Sequence, residues 1–189
     1  MTPSARLPYT FDAPLRTERL VVRTFRREDV DDVHAYHSRE DVCRYVPQEP
    51  RTRDEVAEKL EKWSSATVLA GDGDFWQLAV ERAGTVIGNV YASIKDAASA
   101  GAEVGWMLHP DHSGQGYMTE ACTALLDLLF EHVGIHRVHA VLDPRNGPSI
   151  ALCKRLGMRA EAYFVEDLWF KGEWGDTGIY AVLDREWTS

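Results

Sequence analysis

Residues 104–121 constrain the fold more than any other part of the sequence. They begin with a short apolar run, 104–108, that is typical of a buried strand. A turn follows, in which Pro110 ends the strand and Gly114 and Gly116 free the backbone. Apolar residues then recur at helical spacing. A strand, a glycine-bearing turn and a helix direct backbone N–H groups and the positive end of a helix dipole at one place, so the stretch favours binding of an anion such as a pyrophosphate.

Length, composition and charge limit the classes of protein to which this chain can belong. The 189 residues fit a single domain, 1–189, that is large enough to bury a core without disulfides or metals. Apolar residues make up 44% and charged residues 27%, as in ordinary soluble proteins. The net charge of −9 argues against a broad nucleic-acid-binding surface. An acidic surface suits a cationic substrate such as an amine.

Cysteine and histidine usage predicts neither disulfides nor a metal. Cys43, Cys122 and Cys153 are scattered and form no C-x-x-C pair, which indicates reduced thiols. The histidine pairs, such as His109 and His112, have no third ligand at a useful spacing, so we expect no metal site. No apolar run reaches the ~18 residues of a membrane span, and no signal peptide is evident. We therefore expect a cytoplasmic protein without a membrane partner.

The order of elements predicts an α/β fold with a mixed sheet. Residues 1–16 carry three prolines and predict an extended strap without regular structure. Residues 102–142 read as strand, helix, strand, a unit that makes its two strands parallel. Strands are predicted at 19–25, 75–81, 85–94, 102–108, 137–142 and in a closing hairpin at about 163–183, and helices at 28–37, 52–69, 118–132 and 146–156.

The central turn with its flanks resembles motif A of the GCN5-related N-acetyltransferase (GNAT) family, and more closely its ribosomal-protein-alanine acetyltransferase branch. The family pattern Gln/Arg-x-x-Gly-x-Gly/Ala falls on residues 113–118, where Gly116 matches and Ser113 and Met118 depart. The N-x-x-S segment at 146–149 and the closing segment also resemble this branch. The resemblance spans residues 17–187. It implies antiparallel N-terminal strands, a central parallel pair that splays apart and a C-terminal hairpin.

The resemblance implies that acetyl-CoA is the acyl donor. Its pyrophosphate would meet the N–H groups of residues 115–119, and its carbonyl oxygen an N–H from Met107 or Leu108. The residues expected to bind it are Met107, Leu108, Ser113, Gly114, Gln115, Gly116, Tyr117, Met118, Thr119, Asn146 and Ser149. A dinucleotide site is the alternative for this turn, but the third glycine position is Thr119 and a long antiparallel meander precedes it.

Two residues are candidates for proton transfer. Glu103 lies within an otherwise apolar strand, where burial would raise its pKa and suit it to act as a base through water. The alternative is a strand-end carboxylate that reaches solvent. Ser149 is implied by the resemblance as the acid, or hydrogen-bond donor, to the cofactor sulfur, and Asn146 as a contact to the pantetheine arm. Simple capping of the next helix is the alternative for both.

The resemblance therefore implies an acetyl-CoA-dependent N-acetyltransferase that acts on a primary amine, either a protein N-terminus or a small molecule. Transfer would be direct, because neither Cys122 nor Cys153 has a base at recognisable spacing. Two alternatives stay open: another acyl donor such as succinyl-CoA, and a CoA-binding sensor without turnover, which the residues at Ser113 and Met118 favour. Dimers occur in this branch, so a homodimer is a further expectation.

Overall fold

The computed structural model describes residues 5–188; the first four residues of the predicted strap lie outside the described residues. Its strands are β1 (Tyr9–Thr10), β2 (Leu15–Arg16), β3 (Val21–Thr24), β4 (Val68–Leu69), β5 (Phe75–Arg82), β6 (Thr85–Asp96), β7 (Gly101–Leu108), β8 (Arg137–Leu142), β9 (Arg159–Phe170) and β10 (Glu173–Leu183). Its α-helices are α1 (Val30–His37), α2 (Glu40–Cys43), α3 (Arg53–Ser65), α4 (Tyr117–Asp127) and α5 (Gly147–Arg155). Among these described helices, none is both long and apolar enough to cross a bilayer.

Eight strands form one twisted sheet in the order β2-β3-β5-β6-β7-β8-β10-β9. Every neighbouring pair is antiparallel except β7 and β8, which are parallel because α4 crosses over between them. The larger apolar core lies between one sheet face and α4 and α5, and a smaller core lies under α1 and α3 on the other face. The mixed sheet and the closing hairpin predicted from the sequence are confirmed.

The two parallel strands separate after three residue pairs. Gly101, Ala102 and Glu103 pair with Arg137, Val138 and His139, and the register ends there although β7 continues to Leu108 and β8 to Leu142. The remaining residues of β7 pair only with β6 on their other side. A splay between the central strands, which the family resemblance implies, is therefore present and leaves backbone groups of β7 free on the side of β8.

Two predictions at the N-terminal edge were wrong in detail. The helix predicted at 52–69 ends at Ser65, because Ser64 and Ser65 turn their hydroxyls back onto helix carbonyls, an alternative to continuing the ladder. Val68–Leu69 then forms β4, which pairs with Tyr9–Thr10. The predicted strap is extended but contains regular structure, since β1 and β2 lie within it. The helix predicted at 52–69 does begin where expected, because Thr52 is its N-cap and forms a capping box with Glu55.

The closing hairpin is exposed along most of β9. The large apolar side chains of the hairpin reach solvent, including Trp169 at 59% and Trp174 at 56% exposure. These two rings pack edge to face on each other, with centroids 5.3 Å apart. The homodimer expected from the family resemblance stays a prediction.

Candidate active site

One cavity of about 1060 Å³ runs from the turn before α4 to α2. Ten of the twelve residues singled out in the sequence line it: Met107, Leu108, Ser113, Gly114, Gly116, Tyr117, Met118, Thr119, Asn146 and Ser149. Gln115 and Glu103 do not. The lining residues come from β7, the following turn, α4 and α5, so the splay between β7 and β8 and the anion-favouring turn open into the same space.

The turn before α4 is built as the sequence predicts. Gly114 has φ +75° and Gly116, the N-cap of α4, has φ +80°, backbone conformations that side chains other than glycine rarely adopt. Because α4 begins at Tyr117, its first N–H groups have no partner within the helix. The buried Met118, 7% exposed, packs into the core and also lines the cavity.

Arg19 ties the N-terminal strands to this turn. Its guanidinium pairs with Glu120 at 2.7 Å, donates to the Gln115 carbonyl at 3.0 Å and lies 4.6 Å from the centre of the Tyr117 ring. Burial raises the pKa of Glu120, but hydrogen bonds from Thr17 and Arg19 outweigh it and hold that pKa below its usual value. The Gln115 carbonyl, which follows Gly114 in the turn, is thereby fixed in one orientation.

Three arginines line the cavity near the turn although the protein carries a net charge of −9. Arg19 is neutralised by Glu120, whereas Arg16 and Arg155 are exposed and have no carboxylate partner within residues 5–188. Arg155 donates to the Thr119 hydroxyl at 3.2 Å. The Arg155 guanidinium therefore lies beside the first turn of α4, and Arg16 adds a second positive charge to the cavity wall, which makes the cavity attractive to phosphate groups.

The free edge of β7 directs backbone N–H groups toward the cavity. The His109 N–H donates to the Ile87 carbonyl of β6 at 2.8 Å. Successive residues of a strand direct their N–H groups to opposite neighbours, so Met107 also faces β6 and Leu108 faces the side of β8. No β8 residue pairs with Leu108. Of the two donors expected from the resemblance, Leu108 is the one whose N–H has no partner among residues 5–188.

Ser149 lies in the first turn of α5 with its hydroxyl in the cavity. Asn146 caps this helix as predicted, because its side-chain oxygen accepts the Ser149 N–H at 3.2 Å. The Ser149 hydroxyl takes no part in the cap. It accepts instead a hydrogen bond of 3.1 Å from the indole N–H of Trp106, which also lines the cavity.

Glu103 is not part of the cavity. Its carboxylate lies 3.2 Å from Lys95 Nζ and 3.6 Å from His139 Nε2. Burial raises its pKa, but the contacts to His139 and Lys95 outweigh burial, and the pKa is lowered. The predicted rise was therefore wrong, because partners on two other strands were not visible in the sequence. At about 3.4 Å per residue, Glu103 is also about 14 Å along the strand from Met107, farther than one water bridges.

The other end of the cavity is formed by α2 and the residues that follow it. Asp41, Val42, Tyr45 and Val46 line it there. Lys171, in the turn between β9 and β10, donates to the Cys43 carbonyl at 2.6 Å. These contacts join the weakly patterned residues 27–75 to the C-terminal hairpin, an arrangement that local sequence signals do not reveal.

Comparison with known proteins identifies the family. The acetyltransferase (GNAT) domain family matches residues 19–159. The chain belongs to this family. It is 29% identical to the uncharacterized N-acetyltransferase YnaD of Bacillus subtilis over 92% of this chain and 98% of that one. It is 27% identical to the ribosomal protein uS5-alanine N-acetyltransferase of Escherichia coli, covering 92% of both. A GNAT acetyltransferase from Bacillus anthracis has a solved structure with a TM-score of 0.82 at 29% identity, covering 92% of this chain and 100% of that one.

The protein is thus an N-acetyltransferase of the GNAT family. Two solved structures with the same fold contain CoA: spermidine N-acetyltransferase from Vibrio cholerae, at 22% identity and TM-score 0.76, and a ribosomal L7/L12 α-N-protein acetyltransferase, at 16% identity and TM-score 0.78. They cover 90% of this chain and 98% of their own chains.

The cysteines of this acetyltransferase are unsuited to carry the acyl group. All three are free and buried. Burial raises the pKa of Cys153 to about 12 and that of Cys122 further still, so both thiols stay protonated at neutral pH. Neither is a competent nucleophile in this state.

A buried polar network supports the α1 side of β7. The Tyr36 hydroxyl and the His37 ring both hydrogen-bond to the Asn89 side-chain oxygen, at 3.0 and 3.3 Å. Gln48 contacts both the His37 ring at 3.2 Å and the Met107 sulfur at 3.5 Å. Burial, and then the charge of Arg51, lower the pKa of His37 to about 4, so the ring is neutral at physiological pH. No local sequence pattern indicates this network, because it unites side chains that are distant in sequence.

Proposed function

We propose that this acetyltransferase moves the acetyl group of acetyl-CoA directly to a primary amine, either a protein N-terminus or a small-molecule amine. One observation carries the proposal: a single cavity joins an anion-favouring helix N-terminus, the free Leu108 N–H and the Ser149 hydroxyl. These are the groups that thioester aminolysis requires along the length of a CoA molecule.

In this proposal the N–H groups of residues 115–119 hold the pyrophosphate at the start of α4. The free guanidinium groups of Arg16 and Arg155 add charge for the remaining phosphate of the nucleotide. The pantetheine arm follows the edge of β7 past Asn146. Binding of this kind fixes the thioester beside the splay before any bond changes.

The Leu108 N–H is the proposed donor to the carbonyl oxygen, which becomes negative when the amine attacks. The Ser149 hydroxyl is the proposed hydrogen-bond donor to the sulfur as the carbon–sulfur bond breaks. The raised pKa values of Cys122 and Cys153 support direct transfer rather than an acyl-enzyme.

The acceptor is proposed to enter between α2 and the closing hairpin, at Asp41 and Tyr45. Charges of both signs border this entrance, where Lys171 lies 3.8 Å from Glu49 and Arg145 pairs with Glu173 at 2.7 Å. Relatives whose names give an acceptor include the uS5-alanine enzyme and a spermidine N(1)-acetyltransferase, so both a peptide with an N-terminal alanine and a polyamine are appropriate first substrates.

Calorimetric titration with acetyl-CoA, free CoA and NAD tests the proposal. We expect micromolar binding of both CoA species and none of NAD. Gly116→Ala should weaken acetyl-CoA binding at least about tenfold, because a left-handed conformation costs a non-glycine residue about 1–2 kcal/mol and the turn must distort to relieve it. Gly73→Ala is the matched control: its φ is +87°, and it is not among the residues that line the cavity.

Absence of binding by either CoA species would overturn the proposed function and its catalytic roles together. If CoA binds but no amine is acetylated, the sensor alternative replaces catalysis. If turnover occurs, a panel of acetyl-, propionyl- and succinyl-CoA decides the acyl donor.

The variant Glu103→Gln tests whether Glu103 acts as the general base. We propose that Glu103 contributes charge and that the proton of the amine leaves through solvent. The variant should therefore lower kcat by less than about tenfold, against the 10²–10⁴-fold expected of a general base. Because the pKa of Glu103 is lowered, its carboxylate is already ionised above about pH 6, and the pH–rate profile from there to about pH 9 should keep its shape. A hundredfold loss with a flattened rising limb would instead establish Glu103 as the base.

A further inference from the structure

Trp106 contacts Ser149 in a way that defines how the serine can act. Trp106 belongs to β7, beyond the last residue that pairs with β8, and both side chains line the cavity. The indole Nε1 lies 3.1 Å from Ser149 Oγ. An indole N–H can only donate, so Ser149 Oγ is the acceptor in this bond.

A serine hydroxyl has one hydrogen and two lone pairs. Trp106 occupies a lone pair, and within residues 5–188 no protein atom accepts the Ser149 hydroxyl hydrogen. That hydrogen is therefore available to the cavity. A hydroxyl that accepts one hydrogen bond also becomes a stronger donor in the next, because the bonds polarise one another.

The backbone fixes Ser149 from the opposite side. Its N–H donates to the Asn146 cap, which anchors the first turn of α5. The cap sets where the serine lies, and Trp106 sets which way its hydroxyl is oriented. These are two separate contacts, since Asn146 is three residues from Ser149 in sequence and Trp106 is 43 residues from it.

We propose that Trp106 is a positioning residue that holds Ser149 as a hydrogen-bond donor to the CoA sulfur. This rests on the proposed function. In the reaction the amine nitrogen bonds to the carbonyl carbon, the carbon–sulfur bond breaks and its electron pair stays on sulfur. The Ser149 O–H stabilises this thiolate, and the proton that the amine releases to solvent finally neutralises it. Without the indole N–H, the hydroxyl is free to rotate away from the sulfur.

The test uses the ionisation of bound CoA, which needs no acceptor amine. The thiolate of free CoA is titrated by its ultraviolet absorbance with saturating protein, for wild type, Trp106→Phe, Ser149→Ala and the double variant. Loss of a donor to the thiolate shifts the equilibrium toward the thiol. We expect Ser149→Ala to lower the thiol ionisation constant about tenfold, Trp106→Phe about threefold, and the double variant no further than Ser149→Ala alone.

Trp76→Phe is the matched control, because Trp76 also donates one indole hydrogen bond, to the Thr67 carbonyl at 2.9 Å, but does not line the cavity. It should leave the titration unchanged. Trp106→Tyr is a second variant without the indole N–H should the phenylalanine form be unstable.

The outcomes separate the claims. If the protein does not bind CoA, both the proposed function and this inference fall. If Ser149→Ala shifts the titration and neither Trp106 variant does, the serine role stands and the positioning role of Trp106 is overturned. If Trp106→Phe shifted the thiol titration equally in the presence and in the absence of the Ser149 hydroxyl, its effect would not act through Ser149. The role of Trp106 would then be purely structural.

Discussion

Ser149→Ala is expected to lower kcat about a hundredfold while changing the Kd for acetyl-CoA less than about threefold. The hydroxyl is proposed to act on the departing thiolate, whose negative charge exists only as the carbon–sulfur bond breaks. Removing it therefore costs transition-state stabilisation rather than ground-state binding. The measurements are steady-state kinetics with an alanine-initiated peptide or spermidine, whichever is acetylated, and calorimetry with acetyl-CoA.

The substitution spares the helix. The cap of α5 uses the Ser149 backbone N–H and the Asn146 side chain, so alanine retains it. Ser113→Ala is the matched control, because Ser113 lines the same cavity at the anion-favouring turn. In Ser113→Ala, any loss should be of affinity for acetyl-CoA and not of kcat. Equal losses of kcat and affinity in Ser149→Ala would limit Ser149 to binding.

Local features of the sequence were sufficient to predict much of the site. The strand-to-helix turn adopts left-handed backbone at two positions, which explains Gly114 and Gly116. Asn146 immediately precedes α5 and caps it. Such signals lie within a few residues of each other. Sequence patterns therefore predict the turn and both helices that flank the cavity without reference to any long-range contact.

Features that depend on neighbouring strands were missed. The pKa of Glu103 is set by Lys95 from β6 and His139 from β8, and no pattern within β7 contains them. The hydrogen bond from Trp106 to Ser149 likewise joins distant elements. The extent of pairing between β7 and β8 decides which N–H is free, and the periodicity of each strand says nothing about where pairing stops.

Gly88 is the clearest of these missed positions. It pairs with Leu108 across β6 and β7, and its φ is ordinary, so no turn signal marks it. A Cβ added there would lie 2.4 Å from the Met107 carbonyl oxygen and 3.1 Å from Leu108 Cα. Both neighbours are backbone, so no side-chain rotation can relieve the clash. Only glycine lets β6 approach the free end of β7 this closely.

Gly88→Ala is therefore expected to displace the end of β7 and to damage stability and activity together. Overpacking should destabilise the fold by about 2–3 kcal/mol, which for a chain of this size lowers the Tm by roughly 5–10 °C. Displacement of the Leu108 N–H by about 1 Å should also lower kcat/KM about a hundredfold in molecules that are still folded. Thermal unfolding and kinetics well below the Tm separate the two effects.

Gly105→Ala distinguishes the close approach from the mere loss of a strand glycine. Gly105 lies in β7 itself, three residues from Leu108, and a Cβ there would meet only the Tyr91 side chain, at 3.8 Å. That is an ordinary contact, and alanine restricts the unfolded chain more than glycine does, so this variant should be neutral or slightly stabilising. If Gly88→Ala kept its Tm and full activity, the end of β7 would have to be free to move, and the role proposed for a fixed Leu108 N–H would be withdrawn.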